Sequence, residues 1–548
     1  MNPPSAAGAD RRARVDAVVI GAGFAGLYAL YRLRDHLGLR VRVFEAADGV
    51  GGTWHLNRYP GARCDTESYV YCYSFSQQLY QEWSWSGKYP TQPEILRYLN
   101  HVADRFDLRR DLTLNTRVTG ASFGNDERWH VVTDRGEQVT ARFLITGVGL
   151  LAAAPHRPHL PGLETFTGRW CHTGDWPAEG VELAGKRVAV IGTGSTGVQT
   201  IPVIAETAAH LTVFQRTPQF AVPARHDTIG PDDLERFKLR YEEIWADVKW
   251  SVGGFPACGT TRKSALDDTP GERAAVFEDL WRQGGLRFVL ATYQDLLFDR
   301  RTNDFAAEFI RDKIRQRVHD PRTRELLLPC DHPFGAKRPV VETNYFETFN
   351  RDNVSLVDIH TSPIVEVTPT GIRTETGHHE LDVIVFATGF DAVTGPLLRL
   401  NITGRGGIRL RDEWADGPAS YLGLAVAGYP NMFTITGPGS TFGNIPVVIE
   451  HHVEWIADLI AHLDATGHVL VEASRAAQTS WTETMAAMAD RSVIPLAESW
   501  STGANIPGKP RTVLFYLGSY GAYRKECDQV SQARYVGFEF TPASDPAG

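Results

Sequence analysis

Cysteine is scarce in this sequence, and its cysteines follow no spacing that would serve a metal ion or a redox pair. Six occur among 548 residues, and they form neither a CxxC motif nor a zinc-type pattern. We therefore expect reduced thiols, a cytoplasmic location and no metal site. The six are Cys64, Cys72, Cys171, Cys258, Cys330 and Cys527.

Long apolar runs and long basic runs are also missing. No stretch of 18 uncharged apolar residues occurs, so the sequence predicts no membrane-spanning helix. The formal net charge is −9, which argues against nucleic acid or an anionic membrane surface as a partner. The first residues lack the apolar core of a signal peptide, and we expect a disordered tail there. The length predicts roughly two to four domains, and we take a monomer as the default oligomeric state.

The first glycine-rich motif, GAGFAG, follows the β-branched run VDAVVI and precedes leucines at helical spacing. This order of strand, tight turn and helix is typical of dinucleotide-binding folds. Gly21 permits the turn, Gly23 lets a pyrophosphate approach the backbone, and Gly26 lets the helix pack on the sheet. The next strand, VRVFE, ends at Glu45, whose carboxylate can accept hydrogen bonds from a ribose 2′-hydroxyl. A cofactor with a free ribose is therefore predicted here.

The same layout recurs at GTGSTG, where Gly192, Gly194 and Gly197 follow the run KRVAVI. After the second strand of this unit, Arg216 stands at the offset that the first unit fills with a carboxylate. A guanidinium can bind a 2′-phosphate that a carboxylate would repel, and Thr217 can add a hydroxyl contact. The second loop is therefore predicted to bind NADPH.

Two further strands of buried type, ARFLITGVG and ELDVIVFATGFD, end in glycine-containing turns, as strands beneath a bound nucleotide do. The sequence thus predicts an α/β fold with two interleaved Rossmann-like dinucleotide-binding domains and FAD in the first. The expected FAD-binding domain has two parts, 16–150 and 386–540, which flank an NADP-binding domain at 151–385. The predicted tails are 1–15 and 541–548.

A helical insertion is expected within the NADP-binding domain at about 222–325, since no dinucleotide-type strand interrupts this stretch. The segment DDLERFKLRYEEIWADVKW carries an apolar stripe at helical spacing. It predicts one helix whose stripe packs in the core rather than forming a substrate-binding surface. The stripe consists of Leu234, Phe237, Tyr241, Ile244, Trp245 and Val248.

Between the two loops, the stretch FTGRWCHTGDWP fits the pattern FxGxxxHxxxW through Phe166, Gly168, His172 and Trp176. It resembles the fingerprint of the Baeyer–Villiger monooxygenases, flavoproteins that insert an oxygen atom beside a ketone carbonyl. Flavin monooxygenases that act on nitrogen or sulfur usually lack the terminal Trp. The resemblance implies that His172 couples the domains rather than serving as a general base.

A second stretch, GGTWHLNRYPGARCD at 51–65, resembles the family pattern GGxWxxxxYPGxxxD without a gap. The resemblance continues through nearly the whole chain and is close to the cyclohexanone, phenylacetone and steroid monooxygenase branches. His55 and Leu56 depart from it by replacing an aromatic pair. The expected pocket segment, 436–446, mixes features of several branches, so the resemblance does not name the substrate. Similar segments are KSAL (263–266), GAKRP (335–339), FNRDNV (349–354), FATGFDAVTG (386–395) and SWSTGANIPGKPR (499–511).

Site residues also follow from the resemblance. It implies that Arg338 is the catalytic cation above the flavin and that Asp65 orients it. Lys337 is expected to reach the 2′-phosphate of NADPH beside Arg216, and Trp500 to contact the nucleotide from a loop that closes the site. Further predicted cofactor contacts are Gly52, Thr53, Trp54, Asp65, Tyr71, Val118, Thr193, Ser195, Thr196 and Gln199.

The predicted activity is the NADPH-dependent insertion of one oxygen atom from O2 beside the carbonyl of an apolar ketone, by way of a C4a-peroxyflavin. The product is an ester or lactone. Arginine suits the stabilisation of a peroxide anion, because it stays charged and does not give up a proton. Oxygenation of nitrogen or sulfur is the alternative activity, and an inactive nucleotide-binding scaffold is a further one. A disulfide reductase is disfavoured, since Cys64 and Cys72 do not have the CxxxxC spacing.

Overall fold

Both glycine-rich loops join a parallel strand to a helix in a computed structural model of the chain, which describes residues 14–151, 155–256 and 263–542. Residues 1–13 of the tail predicted at 1–15 and residues 543–548 of the tail predicted at 541–548 lie outside the described residues, as does Cys258. The strands are β1 Arg14–Ile20, β2 Val41–Phe44, β3 Leu112–Thr113, β4 Val118–Phe123, β5 Trp129–Thr133, β6 Gln138–Thr146, β7 Arg169–His172, β8 Arg187–Ile191, β9 His210–Gln215, β10 Ala221–Pro223, β11 Val340–Glu342, β12 Val354–Asp358, β13 Ile364–Thr368, β14 Gly371–Thr374, β15 Gly377–Glu380, β16 Val383–Phe386, β17 Ile402–Thr403, β18 Met432–Thr434, β19 His468–Ala473 and β20 Phe538–Pro542.

The α-helices are α1 Phe24–Tyr31, α2 Thr53–Leu56, α3 Gln77–Glu82, α4 Gln92–Arg105, α5 Ser195–Thr207, α6 Pro231–Leu239, α7 Tyr241–Trp250, α8 Pro270–Gln283, α9 Arg287–Leu290, α10 Arg300–Arg317, α11 Pro321–Leu327, α12 Tyr345–Thr348, α13 Thr394–Leu398, α14 Leu410–Glu413, α15 Ile445–Ala465, α16 Arg475–Asp490 and α17 Tyr520–Gln532. None of those in the described ranges combines the length and the apolar character of a membrane span.

The first sheet has the strand order β17-β4-β5-β6-β1-β2-β3, with β18 also paired to β6. Parallel strands buried on both faces favour continuous apolar runs, and β1 ends in such a run of four buried residues, AVVI. Ile20 lies beside Phe44 and Thr146, and Thr146 lies beside Thr434. Four parallel strands therefore end at one edge of the sheet, and the first glycine-rich loop lies at that edge.

The second sheet is wholly parallel, with the order β12-β9-β8-β16-β7. All of its strands lie between β6 and β17 in the chain, so this domain is inserted within the first. The predicted interleaved Rossmann-like fold is confirmed. A few residues at the predicted domain and tail limits belong to strands. Arg14 and Val15, expected in the first tail, are in β1, and Thr541 and Pro542, expected in the last tail, are in β20. Phe386, expected in the FAD-binding domain, ends β16 of the second sheet. Backbone pairing with neighbouring strands holds these residues in place.

Helices α6 to α11 follow β10 and precede β11, and these two strands pair in parallel. They occupy the stretch in which the insertion is predicted, and α11 continues to Leu327. Helix α15, which follows the second domain in the chain, packs its buried face against α1 of the first domain. The insertion is important for the site because its helices contact the loops that carry the predicted catalytic residues.

The prediction of a single helix over the apolar stripe is wrong. The chain divides into α6 and α7 at Arg240, whose φ of −103° and ψ of 16° depart from helical values. The two halves stack on different rings of the first domain: Phe237 lies 4.1 Å from Tyr69, and Tyr241 lies 3.5 Å from Tyr80, between ring centroids. Helical spacing does not reveal such a break, because both halves keep the same periodicity.

Candidate functional site

The first glycine-rich loop has the shape of a phosphate cradle. Gly21 has a φ of +102°, and a Cβ atom there would lie 2.6 Å from the carbonyl oxygen of Gly147. A Cβ atom on Gly26 would lie 1.7 Å from the carbonyl oxygen of Gly21, so any side chain would push α1 off the sheet. A Cβ atom on Gly52 would lie 3.1 Å from the Cα atom of Gly23, so the two loops approach closely. These positions fit a pyrophosphate over the start of α1.

Glu45 lies at the end of β2 and is buried. Its carboxylate accepts hydrogen bonds from the backbone N–H groups of Ala22, at 2.7 Å, and Ala47, at 2.8 Å. The side chain therefore braces the glycine-rich loop from below. A ribose contact by the same carboxylate stays a prediction.

The predicted flavin-side residues lie in α2, at the start of β4 and in the loop that holds Tyr71. Thr53 begins α2, and Val118 begins β4 in the core of the first domain. Trp54 donates a hydrogen bond from Nε1 to the hydroxyl of Tyr71, at 3.1 Å. Tyr71 also packs edge-on against Phe24 of α1, with centroids 5.5 Å apart. The structure thus brings Trp54 and Tyr71 together beside the first glycine-rich loop.

The second glycine-rich loop repeats the same geometry. Gly192 has a φ of +109°, and a Cβ atom there would lie 2.5 Å from the carbonyl oxygen of Ala387. A Cβ atom on Gly197 would lie 2.2 Å from the carbonyl oxygen of Gly192. Gly194 has open space beside it and is the N-cap of α5, which begins with Ser195 and Thr196. A phosphate can therefore approach the N–H groups at the start of α5.

Arg216 and Lys337 supply positive charge beside this loop. Arg216 is exposed directly after β9, and the hydroxyl of Thr193 anchors the next turn by donating to the carbonyl of Thr217, at 2.9 Å. Burial and then the proximity of Arg216 lower the pKa of Lys337, partly offset by Asp331. Within the described residues neither cation takes part in an ion pair, so both charges are available to an anion.

Gln199, on α5, bridges the two domains through its side-chain amide. Its side-chain N–H donates to the carbonyl of Arg63 at 3.1 Å, and its oxygen accepts from the Tyr59 hydroxyl at 2.9 Å. Gly61, in the same turn, has a φ of +82°, and a Cβ atom there would lie 2.4 Å from the carbonyl oxygen of Gln199. The amide group of Gln199 therefore joins α5 to the first domain, and its contact with a cofactor stays a prediction.

Arg338 and Asp65 meet although 273 residues separate them in the chain. Arg338 Nη2 donates to Asp65 Oδ2 at 2.5 Å, and the two side chains are 27% and 15% exposed. Burial opposes the charge of Arg338, but the Asp65 carboxylate outweighs it and holds the pKa of the guanidinium above its ordinary value. The site thus contains a fixed, permanently charged cation.

An apolar cluster faces this cation. Phe442 lies beneath Arg338, with the guanidinium carbon 5.9 Å from its ring centroid. Trp500 and Phe515 pack on Phe442 with centroids 5.5 and 5.0 Å away. The sequence indicated a pocket at 436–446 and a role for Trp500, but nothing in it pointed to Phe515. The other cluster members are Leu150, Leu151, Ala392, Val393 and Leu514.

The fingerprint residues build the edge of the second sheet. Strand β7 pairs with β16, and a Cβ atom on Gly168 would lie 2.3 Å from the carbonyl oxygen of Asp382. Phe166 and Trp176 are buried. His172 accepts a hydrogen bond from the N–H of Gly174 at 2.9 Å, and its ring meets the edge of Phe390, 5.8 Å away. This placement supports domain coupling rather than catalysis.

We expect His172 to make the stability of the protein depend on pH. Burial, and then the charge of Arg157, lower its pKa from 6.5 to about 4. Between these values the unfolded chain binds more protons than the native state, so the free energy of unfolding falls as the pH falls from 6.5 towards 4. We expect the melting-temperature advantage of wild type over His172→Asn, which keeps an acceptor for Gly174, to be largest above pH 6.5. It should shrink at pH 4.5 in thermal scans; a pH-independent difference would contradict the prediction.

Metal-binding side chains do not cluster in the described residues. Across 14–151, 155–256 and 263–542, no three His, Cys, Asp or Glu side chains are grouped so that they could hold a metal ion.

Comparison with known proteins places the chain in a family. A family model described as flavin-binding monooxygenase-like matches residues 14–246. A Baeyer–Villiger monooxygenase of Pseudooceanicola batsensis is 48% identical over 95% of this chain and 95% of its own length. A phenazine N-monooxygenase of Lysobacter antibioticus is 46% identical over 95% of this chain and 96% of its own.

A solved structure of similar fold agrees with these relatives. The oxidised steroid monooxygenase bound to NADP has a TM-score of 0.92 and 48% identity, and the match covers 97% of this chain and 100% of that one. Identity at this level over nearly the whole length fixes the family. The chain belongs to the Baeyer–Villiger monooxygenase family.

Proposed function

We propose that this chain converts an apolar ketone, O2, NADPH and a proton into an ester or lactone, NADP⁺ and water. The observation that carries the proposal is the Arg338–Asp65 pair, a fixed cation that lies against the apolar surface formed by Phe442. The pair is held by loops of both nucleotide-binding parts of the chain. The 48% identity to a Baeyer–Villiger monooxygenase supports the same reaction.

FAD and NADPH suit the two glycine-rich loops. At the first loop, Gly21 and Gly26 allow the turn and α1 to pack closely against backbone carbonyl oxygens, so that a pyrophosphate can approach the N–H groups at the start of α1. At the second loop, neither Arg216 nor Lys337 forms a salt bridge within the described residues, although Asp331 is close enough to affect the pKa of Lys337, and two such cations suit a 2′-phosphate. Bound FAD, reduced by NADPH, supplies the activation of O2.

Arg338 would stabilise the negative charge that develops on oxygen as the ketone carbonyl is attacked. A guanidinium suits this role because it does not release a proton at neutral pH and so cannot quench an oxygen anion. Asp65 would hold the guanidinium in one orientation through the 2.5 Å hydrogen bond. Preorganised charge of this kind contributes to catalysis because it needs no reorientation during the reaction.

Oxygenation of nitrogen is a second candidate, favoured by the 46% identity to a phenazine N-monooxygenase. The test is mass spectrometry after incubation of the FAD-loaded enzyme with NADPH, ¹⁸O-labelled O2 and a panel of ketones, amines and sulfides. One labelled oxygen in an ester or lactone supports the ketone reaction. Labelled N-oxides or sulfoxides alone would overturn it in favour of the second candidate.

Phe442 is expected to set the size of the ketone that the site accepts. Its ring contacts Arg338 and packs on Trp500 and Phe515, so its removal widens the apolar wall beside the cation. Loss of this contact costs about 1.5–3 kcal/mol, so Phe442→Ala should raise the KM for a small cyclic ketone by roughly tenfold or more. The KM for a bulkier aryl ketone should rise less. Phe298→Ala, at a half-exposed ring outside the cluster, is the control, and equal losses for both ketones would contradict the assignment.

We also propose that the enzyme acts as a cytoplasmic monomer. The five described cysteines are free, and four of them are buried, which suits a reducing compartment. Sedimentation at several protein concentrations tests the monomer, and a constant mass near that of a dimer would overturn it.

A further inference from the structure

The helical insertion contacts the loop of Arg338 through one buried amide. Asn303, on α10, is fully buried, and its Nδ2 group donates to the carbonyl of Phe334 at 2.7 Å and to the carbonyl of Leu296 at 3.0 Å. Its Oδ1 atom accepts from the N–H of Phe334 at 3.0 Å. Every principal hydrogen-bonding group of this side chain is thus used, and two of its three bonds grip a single residue.

That residue begins the catalytic loop. Phe334 directly precedes GAKR, so both polar backbone groups at the start of this loop are fixed by Asn303. Gly335 follows with a φ of +80°, and a Cβ atom there would lie 2.5 Å from the side chain of Leu297, which also belongs to the insertion. Rigid anchoring four residues before Arg338 limits where the guanidinium can lie.

The loop of Asp65 is anchored to the same insertion. Glu67, two residues further on, is buried and forms an ion pair with Arg287 at the start of α9, with a second contact between Nη2 and Oε2 at 3.1 Å. The hydroxyl of Tyr69 donates to the same carboxylate at 2.5 Å. Because a buried ion pair is costly to break once formed, this contact holds the loop firmly.

We infer that Asn303 is a positioning residue for Arg338, and that the helical insertion holds the Arg338 and Asp65 loops in register through Asn303 and Arg287. This inference rests on the proposed function for the role of the Arg338–Asp65 pair. Asn303 touches neither member of the pair, so it acts through the backbone of Phe334. The insertion therefore contributes to the geometry of the site, and not only to the second domain.

Asn303→Ala and Thr302→Val test the inference as a matched pair. Thr302 is the neighbouring residue on α10, equally buried, and its hydroxyl donates to Asp295 at 2.9 Å rather than to the catalytic loop. In FAD-loaded enzyme, Asn303→Ala should increase hydrogen exchange in the peptide that covers 333–338. It should also lower the yield of oxygenated product per NADPH by about tenfold, with H2O2 taking its place. Thr302→Val should change neither.

Unchanged exchange at 333–338 and unchanged product yield in a flavin-loaded Asn303→Ala variant would overturn the inference. So would equal effects of Thr302→Val. If the variant does not fold, hydrogen exchange in the wild-type enzyme tests the inference. The Phe334 amide should exchange on the order of 100-fold more slowly than in an unstructured peptide. A fast-exchanging amide would contradict the hydrogen bond by which Asn303 anchors the loop. If the wild-type enzyme yields no ester or lactone, the proposed function is wrong. Hydrogen exchange at 333–338 would still test whether Asn303 anchors the loop.

Discussion

Replacement of Arg338 by Ala is expected to lower the rate of ester or lactone formation by about 10²- to 10³-fold, the usual loss when one preorganised charge-stabilising donor is removed. The reason is the position of the guanidinium: it is the cation that lies over Phe442, and Asp65 holds it there at 2.5 Å. NADPH consumption should continue with H2O2 as product. Gas chromatography of the product, with parallel NADPH and H2O2 assays, measures both.

Two further variants separate charge from geometry at this position. Arg338→Lys keeps a positive charge but loses the planar fork that binds Asp65, so its activity should fall between those of wild type and Arg338→Ala. Asp65→Asn keeps the size of the side chain but removes the charge that orients the guanidinium, and it should also be intermediate. Near-normal product formation by Arg338→Ala would show that the pair has no part in the oxygen insertion.

Replacement of Arg216 by Gln is expected to raise the KM for NADPH by roughly 10- to 150-fold. This range corresponds to about 1.5–3 kcal/mol for a hydrogen bond to a charged group. Arg216 is exposed after β9 and lies near Lys337, so both cations can reach one phosphate. The KM for NADH, which has no 2′-phosphate, should change little. Steady-state oxidation of NADPH and of NADH at high O2 gives the KM for each coenzyme in wild type and in the variant.

Lys337→Gln is the companion variant, and we expect a smaller loss of NADPH preference, because an ammonium lacks the planar fork with which a guanidinium binds a phosphate through two hydrogen bonds. Arg282→Gln, at an exposed arginine on α8 that pairs with Asp279, is the control for a general loss of positive charge. A KM for NADH that rises in parallel with the KM for NADPH would contradict recognition of the 2′-phosphate by Arg216.

Local rules were enough for the parts of the site that lie within one strand–turn–helix unit. The clashes that a side chain would make at Gly21, Gly26, Gly192 and Gly197 involve backbone atoms close in sequence or of the adjacent strand end. Spacing in the sequence therefore predicts such loops well. The positive charge of Arg216 likewise indicated NADPH as the coenzyme. One helix and one strand separate Arg216 from the glycine-rich loop, so its position relative to the loop follows from the sequence spacing.

Other features depended on contacts between distant segments. Only the family resemblance relates Asp65 to Arg338 in the sequence, because 273 residues separate them along the chain. The hydrogen bond from the Gln199 amide to the Arg63 carbonyl of the other domain has no signal in the sequence, and a contact of Gln199 with the cofactor stays a prediction. The break between α6 and α7 follows from stacking of Phe237 and Tyr241 on two different rings, which periodicity alone does not distinguish.

By itself the sequence determined the two glycine-rich loops and the family, because those signals rest on short-range backbone geometry and on motifs. The different ribose preferences of the two loops stay predictions from the sequence. Only the tertiary structure decided that the insertion anchors the catalytic loops. Asn303 grips Phe334 and Arg287 pairs with Glu67 across separate elements. A buried asparagine in a helix has no pattern that names its partner, because the partner is chosen by how the helix packs and by the need to satisfy buried polar groups.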